Sequence, residues 1–208
     1  MDNYLNKYNK KCNNSIVLEM RDYAVNNNVP IVTDEGLDFI LQLIKIKKAV
    51  NILEVGTAIA YSSIQMALVN DDIHVDTIER NAKMYEVAIE NIRKAGLEDR
   101  INVIFKNALD VTSEDLNKKY DIIFIDAAKA QYIRFFEIFS EYLNDDGLII
   151  SDNLLFHGLV ENRDNINSKD LRALVRKIDT YNIWLSENEK FDTVFYSFGD
   201  GMAVSMRK

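Results

Sequence analysis

From about Val50 onward, short apolar runs alternate with longer amphipathic stretches, and this alternation constrains the fold more than any other feature. The runs are rich in β-branched residues and short enough to be buried strands; they are NILEV, HVDTIE, INVIF, YDIIFID and GLIIS. Segments of helical length separate them. This pattern predicts an α/β fold with a mostly parallel sheet and helices on both faces.

Several of the expected elements have recognisable ends. Asn81 can cap a helix that stops at Gly96, and Ser168 can cap the helical segment that follows it. Near the C-terminus, the runs FDTVFYSF and MAVSMRK flank Gly199-Asp200-Gly201. Two strands around such turn residues predict an antiparallel hairpin that closes the sheet.

Two amphipathic segments precede the first strand, at 15–27 and 33–48, and Val29-Pro30-Ile31 joins them. Neither could bury a core alone, so we expect a helical cap over the active edge of the sheet. The 208 residues suit one domain, with the cap at 1–48 and the core at 49–208.

Composition excludes some classes of protein. No apolar run approaches the roughly 20 residues that span a bilayer, and the N-terminal stretch lacks the apolar segment of a signal peptide. The single cysteine, Cys12, cannot form an internal disulfide. We therefore expect a cytoplasmic protein with no membrane contact.

The net charge of −8 disfavours a broadly basic nucleic-acid surface. A local basic patch stays possible, because cations cluster near the N-terminus and again later. These clusters are Lys7, Lys10, Lys11 and Arg21, and then Lys45, Lys47 and Lys48. Clusters of this kind are more often solvated faces than binding sites.

In an open parallel sheet, ligands bind outside the carboxyl ends of the strands. After the first strand, the turn from Glu54 to Ser62 contains Gly56, where the backbone can approach a ligand closely. It lacks the G-x-G-x-x-G pattern of dinucleotide sites, which disfavours a dehydrogenase. Glu79 ends the second run, where an acid can accept hydrogen bonds from ribose hydroxyls or favour the start of the next helix.

Two further strand ends carry oxygen donors. Asp126 ends the fourth run, and Asp152-Asn153 follows the fifth. Each residue alone could cap a loop or helix, but together they form an all-oxygen set suited to Mg²⁺ or another hard cation such as Mn²⁺ or Ca²⁺. Lys129 could act there as a base or simply face solvent.

The two histidines lack the spacing of a zinc site. His74 opens a strand, which indicates a structural role. His157 lies in the loop that should border a substrate, so a contact there is possible.

At this point the chain resembles the class I, metal-dependent O-methyltransferases, which include catechol and caffeoyl-CoA O-methyltransferases. The resemblance covers nearly the whole chain. It rests on Ile52 to Thr57 with Tyr61-Ser62, Glu79, Phe124 to Ala127, Ser151 to Asn153, and Gly199 to Gly201.

The resemblance implies a Rossmann-like sheet of seven strands and a role for each residue. The expected contacts to S-adenosylmethionine come from Val32, Glu54, Gly56, Ser62, Glu79, Asn107, Ala108 and Asp126. Asp126, Asp152 and Asn153 would ligate Mg²⁺, and Lys129 would be the general base, with Asp126 also at the catalytic centre. The family also often forms homodimers, so we expect a dimer.

Within the family, the chain looks most like the bacterial tRNA 5-hydroxyuridine methyltransferases. The shared features are Val29-Pro30-Ile31, Asp126 to Tyr132, and Asp152 to Val160. Three residues depart from the usual pattern: Ala60 replaces a glycine, Asn107 replaces an aspartate, and Phe198 stands where Pro-Ile is usual. The first two changes could weaken cofactor affinity.

These features predict methyl transfer to the 5-hydroxyl of 5-hydroxyuridine in tRNA, giving 5-methoxyuridine. A catechol-like small molecule is the alternative substrate, because it offers the same chelating pair of oxygens. A nucleotide-binding module without turnover and a nicotinamide-dependent reductase are alternatives from other classes.

Overall fold

The computed structural model describes residues 7–9, 12–163 and 166–208. Lys10 and Lys11 of the N-terminal basic cluster lie outside the described residues. The described chain forms a seven-stranded sheet with the order β3-β2-β1-β4-β5-β7-β6. The strands are β1 Asn51–Val55, β2 His74–Glu79, β3 Ile101–Phe105, β4 Tyr120–Ile125, β5 Leu143–Ser151, β6 Phe191–Tyr196 and β7 Met202–Arg207.

The sheet is parallel from β1 to β5 and antiparallel at its C-terminal hairpin. The predicted parallel sheet and closing hairpin are therefore confirmed. Six α-helices of the described residues surround it: α1 Ser15–Asn27, α2 Asp34–Lys47, α3 Tyr61–Ala67, α4 Ala82–Ala95, α5 Tyr132–Ser140 and α6 Lys169–Ser186.

Polar side chains cap the starts of four of these helices. Asn14 and Thr33 cap α1 and α2, while Asn81 and Ser168 accept backbone N–H bonds at the starts of α4 and α6 as predicted. The α4 helix ends at Gly96, whose φ of 64° is a left-handed conformation that glycine adopts without steric cost.

Successive strand residues point to opposite faces of the sheet, and each face packs in its own hydrophobic core. Ile52 and Phe124 pack with α1 to α4 on one face. Leu53 and Ile123 pack with α5 and α6 on the other. The predicted N-terminal helices thus join α3 and α4 on one face, and the start of α2 reaches the turn between β6 and β7.

The parallel strands end in register, which positions the site. Val55 pairs with Ile78 on one side and Ile125 on the other, and Ile125 pairs with Ser151. The residues that follow these positions therefore lie side by side at one edge. Among the described helices, none is long and apolar enough to cross a membrane.

Candidate functional site

Backbone hydrogen bonds continue past the strand ends and join the residues at this edge. The N–H of Gly56 donates to Ile78, that of Asp126 donates to Val55, and that of Asp152 donates to Ile125. The structure therefore brings the Gly56 turn, Asp126 and Asp152 together on neighbouring strands. This is the edge at which open parallel sheets bind ligands.

Gly56 is required here by a close backbone approach. Its φ is 108°, and a Cβ at this position would lie 2.1 Å from the main-chain oxygen of Asp126. No side chain fits such a gap. The turn after β1 and the end of β4 are thus held in direct contact.

The same turn contains two alanines with left-handed backbones. Ala58 has a φ of 46° and Ala60 a φ of 65°, values that L-residues rarely adopt. Ala60, which replaces the glycine usual in the family, therefore keeps the backbone conformation that a glycine would adopt.

Glu79 joins the turn to the end of β2. One carboxylate oxygen accepts the N–H of Ala58 at 2.9 Å, and the other accepts the N–H groups of Arg80 and Asn81. The side chain thus contacts both the turn and the residues just before α4. Both roles that the sequence left open for Glu79 are compatible with this geometry.

Beneath the turn lies a buried polar cluster that sequence reasoning missed as a unit. Glu54 is fully buried, and its carboxylate accepts hydrogen bonds from the hydroxyls of Ser62, Ser63 and Thr77. Burial raises the pKa of Glu54 to about 7, although these bonds partly oppose the shift. The acid-and-serine pattern Glu54-x₇-Ser62-Ser63 was the available signal.

Asp126 and Lys129 form an ion pair at the end of β4. The Nζ of Lys129 donates to Oδ1 of Asp126 at 2.8 Å, and both side chains are largely shielded from solvent. Lys129 lies in a short 3-10 helix, Lys129–Gln131, that turns it back toward the strand end. The predicted base and predicted ligand are therefore in direct contact.

Asp152 is the most deeply buried donor of the predicted metal set. Burial, and secondly the charge of Asp126, raise the pKa of Asp152 to about 7. Asn153 is adjacent, has a left-handed φ of 62°, and its amide lies 3.3 Å from Oδ2 of Asp152. A buried carboxylate with a raised pKa, beside a second carboxylate and an amide, fits a hard divalent cation.

The described residues contain no group of three or more His, Cys, Asp or Glu side chains that could hold a metal ion. A cation at this edge would therefore need the Asn153 amide oxygen, and water or substrate, besides the two carboxylates. The donor set that the sequence predicts has this composition.

The remaining predicted cofactor residues lie at or near the edge. Ser62 is half-buried at the start of α3, and its hydroxyl donates a hydrogen bond to the Glu54 carboxylate. Asn107 caps the 3-10 helix Ala108–Asp110 through a 3.2 Å bond to the N–H of Leu109. Val32 is buried in the core of the cap.

The β6–β7 turn is a second feature that sequence reasoning left without a role. Asp200 is buried there, and Oδ1 accepts the backbone N–H of His157 at 2.5 Å. The loop after Asp152-Asn153 is thus anchored to the closing hairpin.

Comparison with known proteins agrees with this geometry. The family model described as O-methyltransferase matches residues 7–208. A caffeoyl-CoA O-methyltransferase of Populus kitakamiensis is 31% identical over 193 residues, covering 90% of this chain and 82% of that protein. A flavonoid 3',5'-methyltransferase of Vitis vinifera is 28% identical over 197 residues, covering 91% and 83%.

Solved structures are also similar. A Staphylococcus aureus protein with the provisional designation caffeoyl-CoA O-methyltransferase has 42% identity and a TM-score of 0.90, covering 98% of this chain and 95% of its own. An O-methyltransferase of Bacillus cereus in complex with SAH has 28% identity and a TM-score of 0.83, covering 99% and 96%. The chain described here belongs to the O-methyltransferase family.

Proposed function

We propose that this S-adenosylmethionine-dependent O-methyltransferase transfers the methyl group to one hydroxyl of a catechol-like small molecule, with a divalent cation such as Mg²⁺. The observation that carries the proposal is the contact between the Asp126–Lys129 pair and the Gly56 turn, with Asp152 on the next strand. A ligand-binding turn and an acid–base pair at one edge supply the proximity that group transfer needs.

The cofactor would lie along the turn after β1. Glu79, at the end of β2, would accept hydrogen bonds from the ribose hydroxyls, while Gly56 keeps the backbone free of a side chain. Asn107 and Ala108 would border the adenine, and Val32 would cover the cofactor from the cap. The buried Glu54 cluster supports the turn from below.

Asp126, Asp152 and Asn153 would hold the cation. A divalent cation held there would supply Lewis acidity that lowers the pKa of the acceptor hydroxyl. Lys129 lies beside Asp126, and its amine, once it has given up its own proton, would accept the proton of the methyl acceptor. Tyr132 donates to the main-chain oxygen of Asp152 at 3.1 Å and so fixes the strand end.

A small molecule suits the chain better than tRNA. The Populus and Vitis relatives are named for caffeoyl-CoA and for flavonoids, which are not nucleic acids. Two cations of the predicted basic clusters are also engaged, since Arg21 pairs with Asp34 and Lys47 with Asp146. The net charge of −8 also opposes binding to a polyphosphate backbone.

The test is methyl transfer from labelled S-adenosylmethionine to four acceptors in parallel: catechol, phenol, tRNA containing 5-hydroxyuridine, and the same tRNA lacking it. Phenol is the matched control because it has one hydroxyl and no neighbouring oxygen. Label in catechol and not in phenol supports the proposal. Label in the 5-hydroxyuridine tRNA alone would replace it with the tRNA function.

A further inference from the structure

The β6–β7 turn, Gly199-Asp200-Gly201, contacts two walls of the proposed active site at once. On one side, a Cβ at Gly199 would lie 2.6 Å from Oγ1 of Thr33, at the start of α2. On the other side, a Cβ at Gly201 would lie 2.9 Å from the backbone nitrogen of Leu155. The turn thus joins the cap to the loop that follows Asp152-Asn153.

Asp200 is the residue of this turn that faces the loop. It is only 8% exposed, and its Oδ1 accepts the N–H of His157, while its main-chain oxygen accepts the N–H of Leu155 at 2.8 Å. Within the described residues, the buried Oδ2 has no hydrogen-bond partner. Burying a carboxylate oxygen without a hydrogen-bond donor costs free energy, so a donor is expected to reach it in some state of the protein.

The ring of His157 is a candidate donor. Its Nδ1 lies 3.6 Å from Oδ2 of Asp200, just beyond hydrogen-bond distance. The imidazole side chain is 79% exposed and can therefore rotate or meet a ligand. A small rotation of the ring would bring an Nδ1–H group onto Oδ2.

The backbone around His157 is strained in a way that Asp200 counters. Phe156, His157 and Gly158 have consecutive φ values of 46°, 57° and 75°. Two successive non-glycine residues in the left-handed region persist only where surrounding contacts hold them, and such strain concentrates at functional sites. The bond from the His157 N–H to Asp200 is such a contact.

We propose that Asp200 is a positioning residue that acts through His157 on the methyl acceptor. Its Oδ1 fixes the left-handed backbone, and its Oδ2 accepts Nδ1–H of the imidazole. Nε2 is then the free acceptor of the ring and receives the hydroxyl or other polar hydrogen of the substrate. The inference rests on the proposed function, since it assigns His157 to the substrate side of that site.

Asp200→Asn separates positioning from folding. Asparagine keeps an oxygen for the His157 N–H, but it replaces Oδ2 with an amide that donates and cannot accept Nδ1–H. We expect kcat/KM for catechol to fall about tenfold, mainly through KM, because one hydrogen bond to the substrate is lost. The affinity for S-adenosylhomocysteine and the thermal midpoint should stay unchanged.

The double mutant shows whether the effect passes through the ring. In a His157→Ala background, Asp200→Asn should cause no further loss. Equal losses in both backgrounds would mean that Asp200 only supports the fold, and the proposal would be wrong. His157→Asn should bind the methyl acceptor more tightly than His157→Ala does. Asparagine tolerates a left-handed backbone and offers Asp200 an amide donor.

A second readout does not depend on methyl transfer. The chain has two histidines, so a His74→Gln background leaves only His157 in a ¹⁵N imidazole NMR spectrum. The neutral ring should carry its proton on Nδ1 with Asp200 and on Nε2 with Asp200→Asn. The same tautomer in both proteins would overturn the proposal, whereas absent transfer to catechol with the expected tautomers would reject only the proposed substrate.

Discussion

Gly56 packs against the main-chain oxygen of Asp126 so closely that a Cβ on Gly56 would lie 2.1 Å from it. The turn proposed for the cofactor and the strand end proposed for the metal are therefore joined by one backbone contact. A change at this contact should affect both.

Gly56→Ala should push the turn and the end of β4 apart. We expect it to lower S-adenosylhomocysteine affinity by more than tenfold and to destabilise the fold, measured by calorimetry and thermal unfolding. Gly96→Ala is the matched control, because Gly96 also has a positive φ of 64° but would place its Cβ in open space. That change should cost about 1 kcal/mol of stability and leave binding unchanged.

Lys129→Met should abolish most methyl transfer without affecting cofactor binding. The side chain contacts Asp126 at the reacting edge, and loss of a general base typically slows a reaction about 10²- to 10⁴-fold. Lys129→Arg should be equally impaired. Arginine keeps the ion pair with Asp126, but it stays protonated near neutral pH and cannot accept a proton. A Lys129→Arg enzyme with normal kcat would reject the base assignment.

Glu79→Ala should weaken cofactor binding before it affects anything else. The carboxylate accepts the N–H of Ala58 and lies where ribose hydroxyls are expected. We expect at least a tenfold rise in the dissociation constant of S-adenosylhomocysteine, with binding of Mg²⁺ unchanged. An unaltered dissociation constant would mean that Glu79 does not bind the cofactor and only supports the start of α4.

Glu54 should make the stability of the protein depend on pH. Its pKa is about 7 in the folded chain against 4.5 for an unperturbed glutamate, so the folded state holds the proton more strongly. Stability contributed by the protonated group is present below pH 4.5 and is lost as the pH rises to about 7, by roughly 3 kcal/mol.

Glu54→Gln should therefore flatten part of this decline. Denaturant unfolding at about pH 3.5 and at pH 7 measures it, and the lower pH is the internal control, because Glu54 is then largely protonated in both the folded and the unfolded chain. If Glu54→Gln lost as much unfolding free energy between low pH and pH 7 as the native chain, Glu54 would not be the group that titrates.

Much of the fold was predictable because its elements carry strong local signals. The runs NILEV, HVDTIE and INVIF coincide with β1, β2 and β3, and Asn81 and Gly96 bound α4 as expected. The boundaries of β4 and β5 differ from the runs. YDIIFID loses Asp126 from β4. β5 begins at Leu143, ahead of Gly147, because Leu143 pairs with Tyr120 before the register shifts and Leu148 pairs with Ile122.

The site was only partly predictable. The rule that ligands bind at the carboxyl ends of parallel strands predicted that Asp126, Asp152 and Glu79 lie at one edge. It could not identify the Glu54 cluster or the bond from His157 to Asp200, because these join residues 8 to 43 positions apart through tertiary packing. The homodimer, the cytoplasmic location and the single-domain division stay predictions.

The most direct test of metal-assisted transfer at this edge is the rate of label transfer from S-adenosylmethionine to catechol, with Mg²⁺ or with EDTA, for the native chain and Asp152→Asn. The account predicts transfer only by the native chain with Mg²⁺, while both proteins bind S-adenosylhomocysteine equally. Equal rates with EDTA, or a native rate in Asp152→Asn, would contradict it.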